Sequence, residues 1–73
     1  MKYFYGSLTT HYDGLDWRHH FVAVAESLLE VEKRANATDF THDNGIETQE
    51  PCEDIQEVTQ EDFKVLDRFL VEI

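Results

Sequence analysis

The sequence holds one cysteine, one proline and three glycines, and only six of its 73 residues are basic. With Cys52 alone no internal disulfide can form. A secreted scaffold of this size normally carries several, so a reducing, cytoplasmic setting is expected. The longest apolar run, Phe21 to Ala25, is far too short to span a bilayer, and no targeting segment is visible. The Asn36-Ala37-Thr38 triplet fits a glycosylation acceptor by chance spacing only. Glycine-rich phosphate loops, nucleophile elbows and paired-metal motifs are all missing, and with them the common sequence signatures of catalysis.

What is present suits one small folded domain covering residues 1–73. A chain of this length buries only about 60% of its unfolded surface, which leaves no core to divide. Five phenylalanines, three tyrosines and one tryptophan supply enough buried area to close that core without a metal staple.

From Lys2 to Tyr12 the chain is aromatic and β-branched and reads as a strand, with Tyr3, Tyr5, Ser7 and Thr9 on one face and Phe4, Gly6, Leu8 and Thr10 on the other. Asp13-Gly14 then punctuates it. Two continuations compete: a hairpin into a second strand over Leu15–Val24, or a turn into a helix. Trp17, Phe21, Val24, Leu28 and Val31 recur at i, i+4, i+7, i+11 and i+14, widened by Ala25 and Leu29, and this spacing predicts one long amphipathic helix from Asp16 to Ala35. Asp13 or Asp16 would cap it, and Lys33 and Arg34 suit its carboxyl end. The stretch His19-His20-Phe21-Val22 would suit a strand equally. Asp43-Asn44-Gly45 marks a turn in an acidic, turn-rich segment. Thr59-Gln60-Glu61-Asp62 looks like a capped helix start, and Phe63, Leu66, Phe69 and Leu70 then predict a carboxy-terminal helix packed on the core. The expected fold class is α+β.

Charge is the most informative total. Sixteen acids against six bases give a net charge of −10. Nucleic acid and anionic membranes would repel such a chain, and basic surfaces would attract it. The acids are also concentrated: Asp39, Asp43, Glu47, Glu50, Glu53, Asp54, Glu57, Glu61 and Asp62 fall in one third of the chain that has no lysine or arginine. Glu47, Glu50, Asp54, Glu57 and Glu61 are spaced at 3, 4, 3 and 4, which on a helix would make a carboxylate row with neighbours about 5–6 Å apart. Pro51 forbids a continuous helix from Glu47 onward, so the complete row cannot form. The patch nonetheless imitates phosphate charge without bases, and a basic groove that gains affinity from phosphates would accept it. The nine acids are the candidate partner-binding residues. The expected partner is a basic, nucleic-acid-binding protein surface, with no direct binding of nucleic acid or membrane. In size and charge alone the chain resembles small acidic inhibitors of restriction or CRISPR systems encoded by phages and mobile elements.

Other constellations carry less. His11, His19, His20 and His42, with Asp13 and Asp16, suggest a zinc site, but their spacing does not gather them on one helical face. Asp39 to Gly45 brings oxygens to a turn yet fails the calcium-loop template. Cys52 lies among Glu50, Glu53 and Asp54, which disfavour a thiolate. No enzyme activity, metal or cofactor is expected. A second functional class stays open: a small structural or adaptor subunit that binds through an apolar face and carries its acids for solubility.

Overall fold

The computed structural model describes residues 1–12, 14–41 and 48–73. It is a small α+β domain with a mixed five-stranded sheet and two helices among the described residues. Two long strands, β1 (Lys2–Tyr12) and β2 (Leu15–Ala25), form an antiparallel hairpin in which Lys2 faces Ala25 and Tyr12 faces Leu15. Helix α1 (Leu28–Ala37) follows, then two strands that both pair with the far side of β1: β3 (Thr48–Gln49) at Thr10 and His11, and β4 (Asp54–Val58) along Tyr3 to Ser7. Helix α2 (Gln60–Leu66) leads to β5 (Val71–Glu72), which lies parallel to β2 at Phe21 and Val22. No described helix is long and apolar enough to cross a membrane.

The predicted helix from Asp16 to Ala35 is corrected here: its first ten residues are strand, and the helix begins at Leu28. The periodicity was ambiguous for a physical reason. Helical spacing would place Phe21 and Val24 on one side, whereas in β2 they point to opposite faces, and both are sheltered because helices lie on both faces of the sheet. The competing hairpin reading is the one realised. Gly14 closes the turn at φ 76°, a left-handed conformation that glycine enters without a Cβ penalty. The true start of the helix is Ser27, whose Oγ accepts the Glu30 N–H, while the Glu30 carboxylate accepts the Glu26 N–H. This is close to a capping box, and its Ser-x-x-Glu signal was present in the sequence.

The carboxy-terminal helix is also corrected. Thr59 caps α2 by accepting the Asp62 N–H, but the helix stops at Leu66, a turn follows, and the chain finishes in β5. The Phe63, Leu66, Phe69 and Leu70 pattern therefore does not act as one face: Phe63 is buried and Phe69 is 80% exposed.

Strand alternation sorts the core. Phe4, Leu8, Phe21, Ala23 and Ala25 project from one face onto Val31 and Ala35 of α1 and onto Cys52, with Phe40, Ile55 and Ile73 at the margin. The opposite face carries Tyr3, whose ring packs 5.0 Å from that of Phe63 in α2, and the fully buried Val22. Arg34 joins α1 to the sheet by donating to the carbonyls of Val24 and Ile73, both at 3.1 Å. Cys52 donates its backbone N–H to the Asn36 side chain and its thiol to the Ser7 carbonyl, fixing the connector ahead of β4.

Gly6 faces Phe21 across the hairpin, and a Cβ at this position would lie 2.5 Å from Phe21 Cζ and 2.8 Å from Cε1. The ring therefore occupies the space that a side chain would need. Gly6→Ala is expected to cost about 1–3 kcal/mol of stability in a denaturant titration. Combining it with Phe21→Leu should give a loss smaller than the sum of the two single losses, because the clash belongs to the pair.

Candidate functional site

The structure places seven of the nine predicted acids. Asp39, in the linker after α1, accepts bonds from both the N–H and the hydroxyl of Thr41, which hold its carboxyl below the usual range. Asp43 and Glu47 lie outside the described residues. Glu50 follows β3 and places its carboxylate 3.3 Å from His11 Nε2, while its N–H donates to the Thr9 carbonyl. Asp54 opens β4 and is paired with Arg18, which also donates to Thr9 Oγ1. Glu53, Glu57, Glu61 and Asp62 are exposed, and among the described residues no cation lies within ion-pair distance of them.

The carboxylate row built on helical spacing is not formed. Residues 54–58 are strand, so Asp54 and Glu57, three apart, point to opposite faces. What the fold makes instead is an acidic edge. Strand β4 is an outer strand of the sheet, joined to β1 on one side only, and α2 starts immediately beyond it. Glu53, Glu57, Glu61 and Asp62 follow one another along this edge, with Glu53 and Glu57 about 13 Å apart at the rise of an extended strand. Glu57 and Asp62 line one shallow groove with Gln56, Val58 and Thr59. Glu61 and Asp62 occupy the first turn of α2, where the helix dipole favours negative charge.

A polar network covers the sheet face opposite α1. His11 Nδ1 stands 2.6 Å from Asp16, so one imidazole bridges a carboxylate from β2 and one from the β3–β4 connector. Tyr5 and His20 share a 2.7 Å hydrogen bond. On the other face His19 Nε2 bonds Thr10 Oγ1 at 2.9 Å, and its ring meets Phe40. The described histidines are thus distributed over both faces of the hairpin, His42 lies outside the described residues, and among those described no group of three His, Cys, Asp or Glu side chains is arranged to hold a metal ion. Burial pushes the Cys52 thiol up, away from thiolate chemistry. The His11 network was missed at the level of sequence because it depends on the hairpin register, in which residues 11 and 16 are direct partners.

Comparison with protein-family models, with curated proteins and with solved structures finds no match to this chain.

Asp16 and then Glu50 raise the His11 pKa above its ordinary 6.5, by hydrogen bonding first and by charge second. A raised folded pKa stabilises the fold below the unfolded value and loses that effect as pH climbs through the folded one. Stability should therefore fall from about pH 6.5 upward across the His11 titration. In His11→Gln that slope should be absent from denaturation midpoints measured across this range.

Proposed function

We propose that this protein is a binding protein and not an enzyme, and that its acidic β4–α2 edge occupies a basic, nucleic-acid-binding surface of a partner. In this reading it is a DNA- or RNA-mimic-like inhibitor of the kind that phages use against restriction or CRISPR systems. The observation that carries the reading is the separation of two kinds of acid. Glu50 and Asp54 are committed to His11 and Arg18, whereas Glu53, Glu57, Glu61 and Asp62 stand exposed in sequence along one outer edge.

Unpaired like charges so close together destabilise the compact state. They are held near one another by a strand and a capped helix, so the cost of ordering them is met by folding and not again by binding. A cationic groove that already binds phosphates would gain from their displacement of its counterions. The core residues of the partner-binding set are Glu53, Glu57, Glu61 and Asp62. Asp54 and Glu50 act chiefly in holding the edge in place, and Asp39 sits at its margin.

A second reading has its own observation. Val65, Phe69 and Val71 are 54%, 80% and 56% exposed around the α2–β5 turn. In this reading the chain is a small structural or adaptor subunit that binds its partner through this apolar face, its acids serving solubility.

The two readings separate by salt and by substitution. The native chain and a Glu53→Gln, Glu57→Gln, Glu61→Gln, Asp62→Asn variant are immobilised and exposed to a nuclease-treated bacterial lysate. The mimic reading expects nucleic-acid-binding proteins on the native chain, released steeply by salt and lost from the amide variant. A partner retained equally by both, and lost instead from Phe69→Ser, would support the adaptor.

A further inference from the structure

The sheet has a second outer edge. Strand β5 covers β2 only at Phe21 and Val22, which leaves Leu15 to His20 beyond its reach. Which backbone groups face outward there follows from one hydrogen bond. The Val22 carbonyl accepts the Ile73 N–H, so Val22 points its backbone away from β1. In an antiparallel strand this orientation alternates, and Arg18 and Asp16 therefore also aim N–H and C=O outward. Among the described residues no backbone group bonds to them.

We infer that this edge pairs with the same edge of a second copy of the chain, joining two sheets into one. Charge selects both the occupant and the register. An isologous antiparallel pair can place its two-fold axis at Arg18 or at Trp17. Centring on Arg18 sets two guanidinium groups opposite each other. Centring on Trp17 sets Asp16 opposite the Arg18 of the second copy, and by symmetry Arg18 opposite its Asp16. Both are hydrogen-bonded pairs, so four main-chain bonds and two opposite-charge pairs form together. The edge is thus complementary to itself in one register and repulsive in the alternative.

The side chains permit this. Asp16 and Arg18 are 74% and 44% exposed; within one chain Asp16 bonds His11 and Arg18 bonds Thr9 and Asp54, so across the new edge the two act by charge and not by a direct side-chain bond. The two copies of Trp17 fall directly opposite on the other face, where cross-strand aromatic pairs add stability. Net charge does not forbid the assembly. The acidic β4 edges would be five strand spacings apart, roughly 24 Å, against a screening length of roughly 8 Å at physiological salt. Joined in this way, two protomers would carry their acidic edges at opposite ends of one particle.

Sedimentation equilibrium of the purified full chain tests the inference, with amide hydrogen exchange read alongside. The native chain should reach twice its 8.6 kDa mass at roughly 100 µM, in the range of small transient interfaces. The amides of Asp16 and Arg18 should exchange more slowly as concentration rises. Asp16→Lys and Arg18→Glu should each weaken association roughly tenfold or more, because the symmetry counts each reversal twice. The double variant restores opposite charges and should recover most of the native association. A native chain that stays monomeric, or that dimerises with no added protection at Asp16 and Arg18, overturns the inference. So does a folded double variant no better than the single ones.

Discussion

Everything in this fold is registered against β1. It is paired on one side with β2 over eleven residues and on the other with β3 and β4, and the face it shares with β2 carries the core under α1. The fit of the Phe21 ring over Gly6 ties that register to packing. A slip by one residue would send Phe21 and Phe4 to the wrong face and put a side chain where the ring lies. The Asp13-Gly14 dipeptide locates the hairpin in the sequence, and the aromatic contact makes any other alignment costly.

The sequence disclosed the parts of this arrangement that depend on local chemistry. Strand β1, the glycine turn and the Thr59 cap were all legible because each rests on residues a few positions apart. Residues 15–25 were not, since their apolar spacing satisfies a helix as well as a strand buried on both faces, and the choice is made by partners such as Tyr5 and Phe4 across the hairpin. The acidic segment follows the same division. Its charge was evident from composition. Its geometry was not, because a strand sends Asp54 and Glu57 to opposite faces where helical spacing would have aligned them. The roles of Glu50 and Asp54 as partners of His11 and Arg18 were hidden for the same reason: their cations come from strands far away in the chain.

The resulting sheet has two unlike margins. One is β4, bordered by carboxylates that the fold leaves without cations among the described residues. The other is the outer half of β2, near neutral, with alternating acid and base. An edge lined by like charges resists pairing with another strand, as natural sheets commonly do to stay soluble. The β2 margin lacks that protection, and the contrast between the two is what gives the molecule a direction.

The hold of β5 is slight. Two bridged residues and the Ile73 N–H attach it to β2, and the preceding turn exposes Phe69 to solvent. Elements with so few contacts open on their own, well below the free energy needed to unfold the whole domain. When β5 lifts away, Phe21 and Val22 lose their outer cover and the Arg34 bond to the Ile73 carbonyl is broken with it. The terminal strand thus joins the sheet margin to α1: its pairing covers Phe21 and Val22, and its Ile73 carbonyl holds Arg34.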